Sequence, residues 1–399
     1  MITKDEFRAE AGAFLEANAR RRVKVSSKWG EGSDEVSILP ERSPEEELQM
    51  VSEAKEWRAK TFDAGFGWIS GPEEYGGRGL PREYERIWQG LEHDYDVPGI
   101  GPFGIGLGMV APTILAHAIE EVRKEYLQPM YRGVVVACQL FSEPVAGSDL
   151  AGIQTKAVRD GDEWVLNGQK VWTSGAQYSD IGEIITRTST DPDSRHRGLT
   201  MFLVDMKAPG VEVRPLRQMT GGASFNEVFF TDVRVPDRMR LGDVDQGWTV
   251  ALTTLMNERM AIGGGNVGSG MDLSGRLRAL ARHMGVADDP VVRQQLADVL
   301  IHHSVSRYTS MRAMAKMRAG QLPGPEMSTL KLALTNNMQR ISSLLTSLLG
   351  PHMAADTGEW GTYAWSNFVL TVPGMRVAGG TDEVLRNIVG ERVLGLPKG

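Results

Sequence analysis

The segment EWVLNGQKVW, residues 163–172, alternates apolar and polar side chains on both sides of Asn167-Gly168. Such alternation is typical of half-buried β-strands, and Asn-Gly is favoured in tight turns, so this segment predicts a hairpin. Segments of strand length follow it along the chain: LTMFLVDM (199–206), VEVRPL (211–216) and NEVFFTDVRVP (226–236). We therefore predict a β domain of antiparallel strands over residues 136–243.

Apolar residues recur with a helical period on both sides of this region. In residues 1–135, Ser43 precedes a long helical pattern and Glu46 follows three positions later, which is the spacing of a capping box. The helical period returns at Trp248 and continues almost to the end, so residues 244–399 are also predicted to be helical. The fold class is α+β: an N-terminal helical domain, a middle antiparallel β domain and a C-terminal helical bundle. Strands and helices do not alternate as a doubly wound sheet requires.

The composition favours a soluble globular protein. Of the 399 residues, 41% are apolar and 24% are charged, and a chain of this length usually divides into two or three packed units. The 44 basic and 51 acidic residues give a net charge of -7, which offers nucleic acid no general attraction. The first residues are charged and no run of eighteen apolar residues occurs, so we expect neither export nor a membrane span and predict a cytoplasmic protein.

Several residues that could carry other chemistry have simpler explanations. The basic run at residues 20–24 lies where a helical pattern ends, a position that favours cations, and Cys138, the single cysteine, fits a core position. The segments GIGPFG (99–104) and GGGNVG (263–268) fit G-x-G-x-x-G, but neither follows a predicted strand, so we expect no nicotinamide site. Adjacent histidines at 302–303 point about 100° apart on a helix, and no metal site is predicted.

Three ordered motifs carry a resemblance to a known family. They are FSEPVAGSDLAG (141–152), NGQKVWTSGA (167–176) and GGTDEVLRNIVGERVLG (379–395), and PEEYGGRG (72–79) and FNEVFFTDVRVP (225–236) fit as well. From end to end the chain resembles the acyl-CoA dehydrogenases. The resemblance implies an FAD held between the β domain and the C-terminal helices, and the conversion of an acyl-CoA thioester to the trans-2-enoyl-CoA. It also implies a homo-oligomer that passes electrons to an electron-transfer flavoprotein.

The resemblance assigns cofactor roles to individual positions. Ser142 matches the hydroxyl residue at the flavin pyrimidine edge, Trp172 matches the indole that covers the flavin, and Ser174 matches the hydroxyl near N5. The remaining FAD-contacting positions are Gln139, Leu140 and Phe141, through backbone groups, and Thr381 and Glu383 at the nucleotide. Ser148 matches a residue that contacts the CoA arm. Two alternatives stay open: Trp172 is a core aromatic of the hairpin, or Ser148 is only a turn former.

The stretch LTTLMNERMAIGGG, residues 252–265, sets an acid into an apolar helix. With a 3.6-residue period, Glu258 shares the inward line of Ala251, Leu255 and Ile262. Many family members carry their catalytic glutamate directly before Gly-Thr. That position is Gly379 here.

Another branch, resembling isovaleryl-CoA and long-chain acyl-CoA dehydrogenases, places the glutamate on a helix before an arginine, which here are Glu258 and the substrate-contacting Arg259. The resemblance thus implies that Glu258 is the base. The alternative is a buried carboxylate paired with an arginine. Gly379 would still supply its backbone N–H to the thioester oxygen.

The chain departs from the family pattern at two positions linked to phosphate contacts. Arg282 in ARHMG lies one residue closer to the glycine than the family's arginine, and Ser347 stands where a glutamine is expected. A non-catalytic partner subunit of a mixed oligomer is therefore an alternative, and an acyl-CoA oxidase is a third possibility. The glycine-rich run GGGNVGSG (263–270) leaves space that predicts a bulky or branched acyl group.

Overall fold

The structure is a computed structural model, and it describes residues 2–23, 28–189, 191, 194–263, 273–318 and 324–398. The helices among them are α1 Lys4–Asn18, α2 Pro44–Asp63, α3 Arg82–Glu92, α4 Ala111–His117, α5 Glu120–Arg132, α6 Gly247–Gly263, α7 Leu273–His283, α8 Pro290–Arg318, α9 Ser328–Leu349, α10 Trp365–Val377 and α11 Asp382–Arg392. The strands are β1 Arg20–Arg21, β2 Tyr95–Asp96, β3 Ala137–Leu140, β4 Lys156–Asp160, β5 Glu163–Ser174, β6 Ile181–Arg187, β7 Leu199–Asp205, β8 Val211–Leu216, β9 Phe225–Pro236 and β10 Arg240–Leu241. The predicted order of helices, strands and helices is confirmed.

The chain forms two compact units. The first comprises Met1–Lys24, Arg42–Arg217 and Ala223–Asn257, and the second comprises Val25–Glu41, Gln218–Gly222 and Glu258–Gly399. Both predicted domain boundaries, after residues 135 and 243, fall inside the first unit and stay predictions.

An eight-stranded sheet dominates the first unit. Its strands lie in the order β10-β7-β6-β4-β5-β9-β8, and β3 pairs with β6 outside that path. The predicted antiparallel β domain is confirmed for most strand pairs. The exceptions are β3, which pairs with β6 in parallel, and Lys156 of β4, which lies in parallel register with Arg187 of β6. Parallel neighbours need a crossover connection, and the hairpin of β4 and β5 lies in the chain between β3 and β6.

The predicted turn at Asn167-Gly168 is wrong. β5 continues through both residues, and the turn of the β4–β5 hairpin lies at Gly161, where φ is 64°. Asn167 and Gly168 instead form an irregularity in the pairing with β9, where Asn167 exchanges hydrogen bonds with Asp232. Pairing along the whole of β9 outweighs the local turn preference, because each further strand pair adds cross-strand contacts.

Two predictions about the N-terminal part and the core are confirmed. Ser43 and Glu46 form a capping box at the start of α2. Cys138 is fully buried in the core between the sheet and its helices, and burial raises the pKa of its thiol to about 12.

The basic run at residues 20–24 does not end a helix. Helix α1 ends at Asn18, and Arg20–Arg21 forms a short strand that pairs with β2. Lys24 lies outside the described residues.

Helix α9 lies at the centre of the second unit and contacts α8, α10 and α11. Its apolar face packs into a core that includes Trp365 and Phe368. The separate segment at residues 28–41 is held to α7 by Arg276, which donates hydrogen bonds to the carbonyl oxygens of Ser33 and Asp34 at 2.7 Å each. Among the described residues, we find no helix long and apolar enough to cross a membrane.

Neither the first glycine motif nor the histidine pair shows the arrangement of a nucleotide or metal site. Residues 99–104 follow the two-residue strand β2, which pairs with β1 and is not part of the large sheet. Residues 264–268 of the second motif lie outside the described residues. His302 lies within a turn of Asp298 on α8, and no group of three or more metal-ligating side chains occurs in the part of the chain that the structure describes.

Candidate active site

The end of β3 and the middle of β5 are joined by two hydrogen bonds in the first unit. The Val171 N–H donates to the carbonyl oxygen of Ser142, and the Lys170 ammonium donates to that of Phe141, both at 2.9 Å. The motif FSEP and the motif GQKVW therefore meet, although 29 residues separate Phe141 from Lys170. The structure thus brings together the predicted cofactor positions at 140–142 and at 172–174.

A buried ion pair fixes this junction. Lys170 Nζ lies 2.8 Å from Glu143 Oε1, and both side chains are almost fully buried. Burial lowers the pKa of the Lys170 ammonium to about 8, although the charge of Glu143 acts in the opposite direction. Burial alone would raise the pKa of the Glu143 carboxyl, but Lys170 and the N–H groups of Gln154 and Thr155 outweigh it and lower that pKa. The pair is therefore charged at neutral pH.

Sequence reasoning missed both members of this pair. One signal was present: Lys170 lies an even number of residues from Trp164 and Leu166, so it shares their inward-facing side of β5. A lysine in such a position needs a buried acceptor, because an unpaired buried charge is costly.

The Trp172 indole does not belong to the core. Its side chain is 60% exposed, and its only described ring partner is Phe225, with ring centroids 6.1 Å apart. Trp172 interrupts the pairing of β5 with β9 and has φ of 61°, a left-handed conformation that bulky residues rarely adopt. The core-aromatic alternative is therefore wrong. Residues held in sparsely populated backbone conformations are concentrated at functional sites.

Two serines on the segments joined at this junction have hydroxyls available for a ligand. Ser142 and Ser174 are half-buried, and their hydroxyls make no hydrogen bond to any residue that the structure describes. An exposed flat indole and available hydroxyls on the joined segments fit a flat ring system with a polar edge, as the isoalloxazine of FAD is. Gln139 is half-buried at the preceding strand, whereas Leu140 and Phe141 are buried.

Ser148 is exposed in the loop after this junction. Next to it, Asp149 accepts two hydrogen bonds from Arg195 Nη2, at 2.6 and 2.7 Å. Asp149 therefore holds the loop through Arg195. Both interpretations of Ser148, as a residue that contacts the CoA arm and as a turn former, stay open.

Helix α6 is anchored to the sheet by buried hydroxyl groups. Thr254 donates to Glu183 Oε1 at 2.7 Å and lies 2.9 Å from the Thr113 hydroxyl of α4. Burial raises the pKa of Glu183 to about 8, although the hydrogen bond from Thr254 acts in the opposite direction. Glu258 follows Thr254 by four residues and is half-buried, and the Arg259 side chain lies outside the described residues, as does that of Ile262. Sequence reasoning missed Glu183.

In the second unit, Gly379 and Gly380 form the turn between α10 and α11. Their φ angles are 66° and 91°, which glycine alone adopts without strain. The N–H of Gly379 has no hydrogen-bond partner among the described residues, as an N–H that binds a substrate oxygen requires. Thr381 caps α11 by accepting from the Val384 N–H at 3.2 Å, and Glu383 is exposed beside an open pocket of about 360 Å³.

The two departures from the family pattern lie on the surface of their unit. Arg282 is exposed at the end of α7. Ser347 is exposed near the end of α9, where its hydroxyl donates to the carbonyl oxygen of Leu344 at 2.8 Å.

Comparison with known proteins shows where this combination of folds and motifs occurs. Models of the acyl-CoA dehydrogenase N-terminal, middle and C-terminal domains match residues 34–134, 138–233 and 245–394. The chain belongs to the acyl-CoA dehydrogenase family. It is therefore an oxidoreductase of the acyl-CoA dehydrogenase type.

Individual relatives match over nearly the whole length of this family member. The chain is 34% identical to acyl-CoA dehydrogenase IpdE1 of Mycobacterium tuberculosis, over 99% of this chain and 98% of that protein. Among solved structures, the Tcur3481-Tcur3483 steroid ACAD has a TM-score of 0.75 at 28% identity, covering 99% of this chain and 97% of that one. The ChsE4-ChsE5 complex from Mycobacterium tuberculosis has a TM-score of 0.70 at 26% identity, covering 100% and 99%.

Proposed function

We propose that this acyl-CoA dehydrogenase binds FAD and converts an acyl-CoA thioester to the trans-2-enoyl-CoA. The observation that carries the proposal is the exposed Trp172 indole with its left-handed backbone, together with the available hydroxyls of Ser142 and Ser174 on the two joined segments. These three residues would hold the flavin ring, and Thr381 and Glu383 would contact its nucleotide. The backbone of Gln139, Leu140 and Phe141 would complete the polar edge.

The chain's own residues would supply a base and an oxyanion site. Glu258 would take the α-proton of the thioester, as in the branch of the family whose glutamate precedes an arginine, with Arg259 near the substrate. Negative charge then develops on the thioester oxygen, and the Gly379 N–H would stabilise it by donating a hydrogen bond. FAD, when bound, supplies the acceptor for the hydride that leaves the β-carbon. We propose electron-transfer flavoprotein as the acceptor of the electrons, and we propose that the enzyme acts in the cytoplasm.

Anaerobic titration tests this proposal. The purified protein should be yellow and should lose its absorbance near the flavin maximum when an acyl-CoA is added without oxygen. The Glu258→Gln variant should keep its colour and bleach at least about 10²-fold more slowly, since general-base catalysis contributes about that much. A Glu258→Gln variant that bleaches at the wild-type rate would overturn the assignment of the base.

A second candidate is a non-catalytic partner subunit of a mixed oligomer. It is favoured by the exposed Arg282 and Ser347, which depart from the family's phosphate contacts, and by the similarity to the ChsE4-ChsE5 complex. A protein that is colourless alone and gains flavin only with a second chain would support it over the homo-oligomer. Peroxide formed during turnover would instead favour an acyl-CoA oxidase.

We also propose a bulky acyl group as substrate. The similarity to a steroid ACAD agrees with the space expected from the glycine-rich run after Glu258. A screen of straight-chain, branched and steroid-ring acyl-CoAs, with flavin absorbance as the readout, tests this choice. A strong preference for short straight chains would contradict it.

A further inference from the structure

The turn at Gly379–Gly380 presents a physical problem for the oxyanion role. Two successive glycines have the largest conformational freedom of any residue pair, so the turn by itself would sample many orientations of the Gly379 N–H. A donor that stabilises developing charge must be oriented before the reaction, because reorientation during the reaction costs free energy. Another part of the chain must therefore hold this turn.

Lys331 of α9 provides that support. Its ammonium group, buried in the second unit, donates three hydrogen bonds: to the carbonyl oxygen of Arg376 at 2.8 Å, to that of Gly380 at 3.0 Å, and to Oδ1 of Asp382 at 3.0 Å. Arg376 lies three residues before Gly379, and Gly380 and Asp382 follow it. One ammonium thus uses all three donors to connect both sides of the turn.

Asp382 completes the network. Its side chain is 1% exposed, and besides Lys331 it accepts hydrogen bonds from Thr335 Oγ1 at 3.0 Å and from Arg376 Nε at 2.8 Å. Both carboxylate oxygens are therefore occupied. Because Asp382 is the first residue of α11, these hydrogen bonds hold the start of α11 against α9. The buried cation, its carboxylate and the two carbonyl groups form a rigid support for the glycines.

We propose that Lys331 is a positioning residue, which orients the Gly379 N–H toward the thioester oxygen of the substrate. This inference rests on the proposed function, in which that N–H is the oxyanion donor. A buried ion pair is weak evidence that a residue stabilises the folded protein. If Lys331 only paired with Asp382, two of its three donors would not need to bind backbone carbonyls on either side of this turn.

The test compares wild type with Lys331→Met, which keeps most of the length of the unbranched side chain and removes its donors. Asn337→Ala is the matched control, because Asn337 is also buried on α9 and its side chain has no described contact with the turn. The ligand is the 1-¹³C-labelled 2-enoyl-CoA of the acyl-CoA that bleaches the flavin fastest in the substrate screen, at a saturating concentration. The first readout is the carbonyl stretching frequency of this ligand bound to the FAD-loaded protein, which falls when a hydrogen bond polarises the thioester carbonyl. The second is the division of the kinetic effect between kcat and KM.

We expect the bound carbonyl of wild type and of Asn337→Ala to absorb at lower frequency than the free ligand. In Lys331→Met this shift should shrink, and kcat should fall about 10- to 100-fold with little change in KM, as expected for a misplaced catalytic group. A Lys331→Met variant that keeps the shift and kcat overturns the inference and leaves the proposed function standing. A wild type without the shift overturns the oxyanion role, and this inference with it.

If Lys331→Met does not fold, Thr335→Val carries the test. This substitution keeps the shape of the side chain and removes one hydrogen bond to Asp382. It should reduce the carbonyl shift and lower kcat about threefold or more, since a weakened support lets the turn move. An unchanged shift and an unchanged kcat would overturn the inference.

Discussion

The Thr254 hydroxyl donates a hydrogen bond to Oε1 of Glu183 at 2.7 Å, and this contact connects helix α6 to the middle of the sheet. Glu183 is fully buried, and its Oε2 has no hydrogen-bond partner among the described residues. Because burial raises the pKa of this carboxyl to about 8, it is mostly protonated at neutral pH. The helix that carries Glu258 is thus anchored by neutral hydrogen bonds.

Glu183→Gln should make the protein less sensitive to alkaline pH. The pKa of Glu183 is higher in the folded than in the unfolded chain, so this group favours folding fully below pH 4.5, and that contribution is lost as pH rises toward 8. The loss is at most about 1.4 kcal/mol per pH unit. Calorimetry at pH 5 and pH 8 should show a smaller fall in Tm for Glu183→Gln than for wild type. The exposed Glu56→Gln is the control, and equal falls in Tm for all three proteins would contradict the prediction.

Lys170→Met should destabilise the first unit and weaken FAD binding. It leaves the buried Glu143 carboxylate without its cation, at a cost of about 3–5 kcal/mol in the free energy of unfolding. The double variant Glu143→Gln/Lys170→Met should recover part of this loss, because no charge is then left unpaired. Urea unfolding and flavin fluorescence measure the two effects. A double variant less stable than Lys170→Met would show that the pair is not coupled as described.

Trp172→Gly should separate stability from cofactor binding. The indole is largely exposed and its backbone is left-handed, so glycine relieves strain of about 1–3 kcal/mol and removes little packing. The free energy of unfolding of the apoprotein should therefore stay equal or rise, while the Kd for FAD rises about tenfold or more. Trp164→Gly, at a buried position of the same strand, should instead destabilise by about 3–5 kcal/mol. Equal destabilisation by the two variants, with FAD affinity kept, would refute the assignment of Trp172.

Gly168→Ala should be more harmful than Gly161→Ala. A Cβ atom at Gly168 would lie 2.7 Å from the backbone Cα of Thr155, whereas a Cβ at Gly161 meets nothing within 4 Å. Both positions have positive φ, which costs alanine about 1–2 kcal/mol. Gly168→Ala should lose about 1–3 kcal/mol more from overpacking. Chemical denaturation of the two variants measures the difference, and equal midpoints at equal m-values would contradict it.

Local patterns predicted much of the fold. The capping box of α2 and the strands at 199–205, 211–216 and 225–236 were predictable because each depends on residues close together in sequence. Asn167-Gly168 shows the limit of this reasoning. Its turn preference is local, but pairing with β9, about 65 residues further along, decides its conformation.

The candidate site divides in the same way. The roles proposed for Ser142, Trp172 and Gly379 come from sequence motifs and stay predictions. Among the supporting residues, only Lys170 had a signal in the sequence, its inward-facing position on β5. Glu143, Glu183, Lys331 and Asp382 had none. In sequence a buried charge looks like a surface charge, and what distinguishes them is a partner 27 residues away for Lys170 and 51 for Lys331.

The sequence by itself therefore determined the order of helices and strands, the family, and the residues to which chemistry is assigned, because periodicity and motifs are properties of neighbouring residues. Only the tertiary structure decided that β3 and β6 are parallel, that the Trp172 indole is exposed, and which charges are buried together. These depend on desolvation and pairing between distant segments, and such free energies exist only when the segments have come together.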